Sequence, residues 1–366
     1  MPGKPVLQLE GIAKRFGSFV ALRDINLEIT EGEFLTVVGP SGSGKSTLIR
    51  ILVGMDEPTE GKIWLRGKRI DKTPANRRPT CMVFQSLALF PHMSVGQNIE
   101  FPLKIKGESA TKRGQRVLEL LKLLRLPADY IDKRITQCSG GEQQRIALAR
   151  ALAFDPEILF FDEPLSALDY RLRKSLEKEL KDLHGRTGKT FVYITHSLEE
   201  AMVMSDRIAI MNTGQFEQIA AADEIYARPV SRFVAEFMGE VNLLELEVVG
   251  QMDLQVPGVD VNIDGKTEKF GDLLSLREGG TLMIRPEFVR FLRVDEVADF
   301  VVRGTLSTEY ALGSRIQYEV ETDSGIRLTI ENLREYRYQG QVGDSVRLGW
   351  DIENTHLIGG QQAIDG

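Results

Sequence analysis

One glycine-rich segment constrains this chain more than any other feature. Residues Gly39–Thr47 read Gly-Pro-Ser-Gly-Ser-Gly-Lys-Ser-Thr and fit the pattern G-x-x-x-x-G-K-[ST]. They follow the apolar run Phe34–Val38 and precede a run with helical patterning, Ser46–Val53. Glycines let backbone N–H groups converge on a phosphate, and the N-terminus of the next helix adds partial positive charge. This order of strand, loop and helix predicts a nucleotide phosphate site rather than a chance Gly/Ser turn.

Two residues of this loop carry the chemistry. Lys45 is expected to reach the β- and γ-phosphates, and Ser46 is expected to offer its hydroxyl to Mg²⁺. The residues predicted to bind the cofactor ATP are those of the whole loop: Gly39, Pro40, Ser41, Gly42, Ser43, Gly44, Lys45, Ser46 and Thr47. We therefore expect this chain to bind ATP with Mg²⁺ and to hydrolyse it.

A second apolar run, Ile158–Phe161, ends in two acids. Continuous apolar residues are typical of a buried parallel strand, so Asp162 is expected beside the phosphate loop, where it supports Mg²⁺. Glu163 is one residue further on and is the candidate general base that activates water. A plain surface acid at a strand end is the alternative for Glu163, and its pairing with the loop and with His196 weighs against that alternative.

Two polar residues follow other predicted strands. His196 comes after Phe191–Ile194 and is a candidate to contact the γ-phosphate and hold the water, although a lone histidine is more often structural. Gln85 comes after Cys81–Phe84 and is a candidate ligand of Mg²⁺ or of the attacking water. A strand-end polar residue without function is an equally good interpretation of Gln85 from its position alone.

A second glycine pair opens another predicted helix, Glu142–Ala153. Ser139 is a good N-cap, and Glu142 stands three residues later, as in a capping box. Gly140 and Gly141 cost helix stability at about 1 kcal/mol each relative to alanine. A capped helix explains Ser139, but the glycines indicate a further role, and a γ-phosphate bound to a second subunit would supply it.

The first 240 residues are predicted to form an α/β domain. Strands alternating with helices, such as Arg171–His184, imply a mostly parallel sheet, and residues of about 86–155 form a helical subdomain within it. Residues 241–366 are predicted to form a second, all-β domain, because short runs with β propensity follow one another closely. These runs are Leu244–Val249, Leu282–Ile284, Phe288–Val294, Ile316–Val320 and Ser345–Leu348, which favours a small barrel or sandwich.

Charge and composition exclude several classes of protein. Residues 241–366 hold 12 Lys and Arg against 22 Asp and Glu, a net charge of −10, which leaves +3 of the total −7 for the first 240 residues. An acidic second half argues against nucleic-acid binding. Cys81 and Cys138 form no disulfide framework, and we identify no secretion signal and no apolar run of about 20 residues. We expect a cytoplasmic protein.

Together these motifs resemble the nucleotide-binding domain of ABC transporters over about residues 6–240. The resemblance identifies Gly39–Thr47 as the Walker A loop, Asp162 as the Walker B aspartate and Ser139–Gly141 as the core of the signature motif. It further implies that the other candidates have these roles: Gln85 the Q-loop, Glu163 the catalytic glutamate, Ser166–Asp169 the D-loop with Asp169 contacting nucleotide, His196 the switch histidine, and Phe16 the aromatic stacked on adenine.

Some positions depart from the family pattern. Cys138 and Glu142 stand where the signature motif commonly has Leu and Gln, and Ser197 replaces an aspartate. Ser139 and Gly141 are intact, so we expect activity to survive. The added negative charge of Glu142 near the γ-phosphate is expected to weaken closure of the site.

The C-terminal part resembles the OB-like TOBE regulatory domain of importer ATPases. Ile284–Glu287 and Phe233–Asn242 carry this resemblance, and Ala88–Met93 and Met204–Ile208 look most like spermidine/putrescine import ATPases. Sulfate, ferric iron and sugar importers remain alternatives for the solute. A soluble ABC ATPase outside transport is a further alternative, which the second domain disfavours.

The resemblance also implies partners and location. Two nucleotide-binding domains close head to tail around ATP, so we expect a homodimer or a pair with a related ATPase. Two membrane-spanning permease subunits are expected to dock through the region after Gln85, Leu87–Val95, with a solute-binding protein acting indirectly. The subunit would then lie peripherally on the cytoplasmic face of the cell membrane.

Overall fold

The computed structural model describes residues 4–166, 168–249, 253–261 and 280–359. The chain divides into two compact units, Met1–Asp223 and Glu224–Gly366. The domain boundary that we expect between residues 240 and 241 stays a prediction. The two compact units divide earlier in the chain, between Asp223 and Glu224. One reason is that the buried Arg285 donates hydrogen bonds to the carbonyl oxygens of Ala235 and Glu240, at 3.0 and 3.2 Å. These contacts hold the segment before residue 241 within the second unit.

The first unit contains a mostly parallel sheet and an antiparallel sheet. Its strands are β1 Pro5–Phe16, β2 Phe19–Thr30, β3 Phe34–Val38, β4 Glu60–Leu65, β5 Lys68–Arg69, β6 Thr80–Val83, β7 Ile158–Asp162, β8 Thr190–Ile194, β9 Arg207–Asn212 and β10 Gln215–Ala220. The mostly parallel sheet has the order β10-β9-β3-β8-β7-β6, in which only β10 is antiparallel to its neighbour. The antiparallel sheet has the order β2-β1-β4-β5.

Helices cover this unit and fill the predicted helical subdomain. The helices are α1 Lys45–Leu52, α2 Val95–Ile105, α3 Ala110–Leu123, α4 Gly140–Ala153, α5 Tyr170–Thr187, α6 Leu198–Met204 and, further along the chain, α7 Ala222–Ala227 and α8 Arg232–Phe237. Short 3-10 helices occupy Ala75–Arg77, Ala128–Asp132 and Ile135–Gln137. In the described residues, no helix is long and apolar enough to cross a membrane.

The alternation of side chains along the central strands creates two cores. In β7, Leu159 and Phe161 pack into the core shared with α2 to α5, whereas Ile158 and Phe160 pack into the core shared with α1 and the antiparallel sheet. All five residues of β8 are buried, as a strand covered on both faces requires. The sequence therefore predicts the α/β class correctly, because continuous apolar runs place this sheet between two layers.

The second unit is β-rich. Its strands are β11 Asn242–Val249, β12 Asp253–Gln255, β13 Asp260–Val261, β14 Gly280–Ile284, β15 Arg290–Phe291, β16 Phe300–Leu312, β17 Arg315–Thr322, β18 Arg327–Leu333, β19 Ser345–Trp350 and β20 Thr355–Gly359. One sheet has the order β12-β11-β14-β20 and the other β15-β19-β16-β17-β18, with β13 on β16. Side chains of both sheets, including Leu244, Leu282, Tyr318 and Trp350, share one core.

One predicted strand of this unit is wrong. The run Phe288–Val294 is not continuous: Pro286–Phe288 forms a 3-10 helix and only Arg290–Phe291 is a strand. Pro286 fixes the first position of this turn, and the Phe288 amide donates to the carbonyl oxygen of Arg285 at 3.1 Å. Two further 3-10 helices occupy Arg334–Tyr336 and Ile352–Asn354.

Candidate functional site

The glycine-rich loop connects β3 to α1 at the carboxyl end of the central sheet. Gly44 is the N-cap of α1 with φ 108°, and no side chain caps the helix. No acidic residue lies in its first turn either. A β-carbon on Gly39 would overlap the carbonyl oxygen of Met211, so only glycine fits there. The N–H groups of this helix end are thus left for an anion.

Lys45 lies inside the loop. Its ammonium donates hydrogen bonds to the carbonyl oxygens of Gly39 and Pro40, at 2.7 and 2.9 Å, and its side chain is nearly buried. Burial lowers the pKa of Lys45, whereas the nearby carboxylates of Glu163 and Asp162 oppose that shift. The loop is therefore arranged around its own lysine, whose charge faces two acids across the cleft.

Asp162 is the last residue of β7, and Glu163 directly follows the strand. Burial raises the pKa of Asp162, Glu163 raises it further, and Lys45 lowers it. Glu163 has φ 43°, a left-handed conformation that costs a non-glycine residue about 1 kcal/mol or more. Its amide donates to the carbonyl oxygen of Ile194 at 2.9 Å, and this bond on the neighbouring strand holds the strained residue in place.

His196 meets Glu163 directly. The distance from His196 Nδ1 to Glu163 Oε2 is 3.0 Å. The imidazole is 60% exposed and the carboxylate 26% exposed, so both reach solvent. The strand ends of β7 and β8 thus bring together the acid and the histidine that the sequence singled out. Such a pair can accept a proton from a water molecule and can hold that water molecule in position.

Gln85 is hydrogen-bonded to a serine that follows β7 in the chain. Its amide Nε2 donates to Ser166 Oγ at 3.1 Å, and Ser166 Oγ donates to the carbonyl oxygen of Glu163 at 2.9 Å. Gln85 is therefore joined to the main chain of Glu163 through one hydroxyl. This bond uses the amide nitrogen of Gln85, whereas the predicted contact with a metal would use the amide oxygen.

The segment Ser139–Gly141 begins α4 with a complete capping box. Ser139 Oγ accepts the Glu142 amide at 3.3 Å, and the Ser139 amide donates to Glu142 Oε2 at 2.7 Å. Among the described residues, a β-carbon on Gly140 would meet nothing closer than Leu168, at 3.9 Å. Packing against this part of the chain therefore does not explain why glycine occupies position 140.

Glu142 is more strongly bound within the chain than the sequence predicts. Tyr130 Oη donates to Glu142 Oε1 at 2.7 Å, and Lys133 Nζ lies 3.4 Å from Oε2. The Tyr130 hydroxyl, the Ser139 amide and Lys133 together lower the pKa of Glu142 to about 2. The expectation that Glu142 weakens closure of the site stays a prediction, and the ion pair with Lys133 offsets part of the added charge.

A cleft of about 570 Å³ collects part of the predicted site. Its lining consists of Phe19, Ala21, Ser41, Gly42, Gly44, Lys45, Ser46, Thr47, Glu163 and His196. The described residues that were predicted for the site but are outside this lining are Phe16, Gly39, Pro40, Ser43, Gln85, Ser139, Gly140, Gly141, Asp162 and Asp169.

Phe19 is the functional candidate that the sequence analysis missed. Phe16 and Phe19 face each other across the turn between β1 and β2, and their side chains are 50% and 63% exposed. Lys14 Nζ lies 5.0 Å from the centre of the Phe16 ring. Phe19 belongs to no motif that the sequence analysis identifies, and its place in the cleft follows from the turn between β1 and β2.

Asp169 has a local structural role. It is the N-cap of α5, and its carboxylate accepts the Leu172 amide at 3.1 Å. Ala167, within the predicted D-loop, lies outside the described residues. The two ends of the D-loop therefore contact different partners, Ser166 the Glu163 region and Asp169 its own helix.

Comparison with known families places both halves of the chain. Residues 22–166 match the family model described as ABC transporter, and residues 282–358 match the TOBE domain. A spermidine/putrescine import ATP-binding protein of Pseudomonas aeruginosa is 42% identical over 368 residues, covering 97% of this chain and 99% of the relative. Its counterpart in Thermotoga maritima is 41% identical, covering 96% and 97%.

Solved structures resemble the first unit. A dimeric bacterial ABC transporter cassette has a TM-score of 0.52 and 35% identity, covering 59% of this chain and 98% of that one. A dimeric cassette in a post-hydrolysis state, bound to ADP and Pi, has a TM-score of 0.51 and 34% identity, with the same coverage. The chain therefore belongs to the ABC transporter family, as an ATP-binding and ATP-hydrolysing subunit of the import type with a C-terminal TOBE domain.

Proposed function

We propose that this subunit drives polyamine import by hydrolysing Mg-ATP in the cleft between the glycine-rich loop and the Glu163–His196 pair. The observation that carries the chemistry is the 3.0 Å contact between His196 Nδ1 and Glu163 Oε2 on the wall of the cleft that Lys45 also lines. The solute follows from the relatives, which are named for spermidine and putrescine.

The phosphate chain of ATP binds to the loop. The N–H groups at the start of α1 meet the β-phosphate, and Lys45 exchanges the carbonyl oxygens of Gly39 and Pro40 for phosphate oxygens. This exchange is favourable because a buried ammonium gains an anionic partner in place of two neutral ones.

Asp162, Ser46 and Gln85 are the proposed protein side of the Mg²⁺ site. Asp162 fits this role, because burial raises its pKa and a cation would offset that penalty. Within the described residues there is no group of three or more His, Cys, Asp and Glu that could hold a metal. Mg²⁺ that binds with a nucleotide needs only one or two protein oxygens, besides phosphate and water. The ion neutralises charge on the phosphates when bound.

Glu163 acts as the general base in this proposal. Its carboxylate accepts a proton from water as the water attacks the γ-phosphate in line. His196 holds the carboxylate through Nδ1 and leaves Nε2 for a γ-phosphate oxygen. His196 is thereby the switch that senses whether the γ-phosphate is present.

A second subunit completes the site. Ser139, Gly140 and Gly141 of one copy cover the γ-phosphate held by the loop of the other, and Asp169 lies at the same interface. Phe16 and Phe19 hold the adenine. Two permease subunits dock on the segment Leu87–Val95 at the cytoplasmic face of the membrane, and a solute-binding protein delivers the solute to them. Sulfate, ferric iron or sugar uptake is the alternative for the transported solute.

Reconstitution with the permease subunits tests this proposal. Proteoliposomes that contain the complex are supplied with binding proteins loaded with spermidine, putrescine, sulfate, ferric iron or maltose, and ATP hydrolysis is measured. We expect stimulation and uptake with a polyamine. Stimulation by another solute would contradict the polyamine assignment, while absence of hydrolysis with every solute would contradict the importer role.

A further inference from the structure

One arginine connects the segment after Gln85 to the helix that begins at the signature motif. Arg150 lies in the last turn of α4. This helix begins at Gly140, and its 14 residues give it a length of roughly 20 Å. Its Nη1 donates to the carbonyl oxygen of Ala88 and its Nη2 to that of Leu87, both at 2.7 Å. A single planar guanidinium thus holds two successive carbonyl groups.

These two carbonyls belong to strained residues. Leu87 has φ 58° and Ala88 has φ 48°, so two successive non-glycine residues are left-handed. Each costs roughly 1–2 kcal/mol, and such strain persists only where surrounding contacts fix it. The two hydrogen bonds from Arg150 are such contacts, because they select the conformation in which both carbonyls point at one guanidinium.

Arg150 also lies near an aromatic ring of the same segment. The guanidinium carbon lies 5.6 Å from the centre of the Phe90 ring, and burial lowers the pKa of Arg150. In the described part of the chain, its hydrogen bonds go to these two carbonyls rather than to a carboxylate. A partly buried arginine that is bound to two carbonyl groups rather than to a carboxylate contributes geometry rather than an ion pair.

The clamped segment leads directly to the catalytic strand end. Gln85, two residues before Leu87, reaches Ser166, which in turn donates to the carbonyl oxygen of Glu163. At its other end, α4 starts with Ser139. The path from the signature segment to Glu163 therefore passes through one helix, the two hydrogen bonds of one guanidinium, and the two hydrogen bonds of Ser166.

We propose that Arg150 is a positioning residue that fixes the Leu87–Phe90 segment to α4, so that Gln85 and Ser139 move as one body. This proposal rests on the proposed function, because only a nucleotide-driven dimer uses both groups. Arg150 then links the residue that meets the ATP of its own subunit to the segment that meets the ATP of the partner. It touches neither nucleotide.

The test uses the full chain in complex with its permease subunits. Arg150→Gln removes the charge and the fork, and Arg150→Lys retains one charged donor group. We expect kcat for ATP to fall about tenfold in Arg150→Gln and about threefold in Arg150→Lys, since misplacement far from the chemistry has effects of this size. KM for ATP should change less than about twofold, because the loop is untouched.

A second substitution distinguishes positioning from support of the fold. Ala88→Gly removes the penalty for a left-handed residue, so in the Arg150→Gln background it should restore kcat by about threefold. The kcat of Ala88→Gly alone is the reference against which this rescue is measured. If Arg150 only stabilised the fold, Arg150→Gln would lower the Tm, and Ala88→Gly would not restore kcat.

Each outcome is decisive for Arg150. Unchanged kcat in Arg150→Gln, a parallel change in KM, or no rescue by Ala88→Gly would overturn the proposal. If Arg150→Gln does not fold, Arg150→Lys with and without Ala88→Gly gives the same comparison. An unsubstituted complex that does not hydrolyse ATP would instead contradict the proposed function, so the two failures are distinguishable.

Discussion

The two glycine-rich segments of the first unit are both followed by helices, but they are built differently. Around Gly39 and Gly44 the backbone is enclosed by its own chain, and Lys45 fills the loop from within. At Gly140 the surroundings are open, and side chains of Ser139 and Glu142 cap the helix from outside. The first segment is shaped by packing within the subunit, and the second is kept free of it.

This difference shows which half of a site a chain can complete alone. The shape of the phosphate loop is fixed by intrachain contacts, so in the proposed cycle one subunit can hold ATP before it dimerises. In the proposed dimer, the signature segment contacts a ligand that the other subunit carries, and its glycines would leave space for that ligand in front of a capped helix. The predictions below act on one segment or on the other.

The largest effect is expected at the base. In Glu163→Gln the amide cannot accept a proton, so turnover should fall by more than about 100-fold. ATP should still bind to the loop, and the signature segment of the partner should still close over it, which gives a stable ATP-bound dimer. Size-exclusion chromatography with ATP measures the dimer, and phosphate release measures turnover. Turnover at the native rate would exclude Glu163 as the base.

Alanine at the two glycines compares the segments directly. Gly39→Ala forces the loop away from Met211 and should weaken ATP binding about tenfold or more, since overpacking costs about 1–3 kcal/mol. Gly140→Ala fits its surroundings and should preserve both Tm and ATP affinity. It should nevertheless reduce ATPase activity of the dimer by about 10- to 100-fold, because a β-carbon blocks close approach of a phosphate to the backbone.

The control for this pair is ATP binding measured in dilute, monomeric protein. Loss of ATP affinity in Gly140→Ala under those conditions would show that position 140 acts within its own subunit, and the comparison drawn above would then fail.

A smaller effect is expected for the two phenylalanines. Stacking on a base is worth roughly 1–3 kcal/mol by alanine substitution, so Phe16→Ala should raise KM for ATP by about tenfold. Phe19 lines the cleft beside Ser41, and Phe19→Ala should raise KM about threefold. The double variant should be worse than either. If KM for ATP is unchanged in both single variants, the two phenylalanines are not part of the nucleotide site.

Sequence reasoning succeeded where a pattern has one physical solution. The apolar run Phe34–Val38 is β3 as predicted, and the loop after it lies against Glu163 and His196 because parallel strands end at one edge. The run Phe288–Val294 failed, since Pro286 and the turn after it break a strand that hydrophobicity alone favours. The β propensity of a run of residues does not indicate whether a neighbouring turn interrupts the strand with hydrogen bonds of its own.

The contacts that sequence missed come from residues distant in the chain. The bonds from Arg150 to Leu87 and Ala88, and the bond from Gln85 to Ser166, join positions separated by more than 60 residues, and no spacing rule encodes them. Glu142 illustrates the same limit at short range. Its place in a capping box follows from the sequence, whereas its neutralisation by Lys133 depends on how the 3-10 helix Ala128–Asp132 folds back.

The smallest effect is expected at Glu142. Glutamine retains one oxygen for the Ser139 amide, and its NH2 group can donate to Tyr130 Oη instead of accepting from it, so Glu142→Gln should keep ATPase activity within about twofold at neutral pH. Glu142→Ala loses these acceptors and should destabilise the subunit by about 1 kcal/mol or more. A large fall in activity for Glu142→Gln would mean that the carboxylate itself contacts the partner's ATP.

The pH dependence of stability tests the same contacts without using activity. The pKa of Glu142 lies at about 2 in the folded chain, below its ordinary value of 4.5. The contribution of its ionised form to stability is therefore present above about pH 4.5 and is lost as pH falls toward 2. Glu142→Gln cannot titrate, so the Tm of the unchanged protein should fall more than that of the variant over this range. Parallel Tm curves would show that Tyr130, Lys133 and Ser139 do not hold the carboxylate, and the signature helix would then lack the side-chain cap that distinguishes it from the phosphate loop.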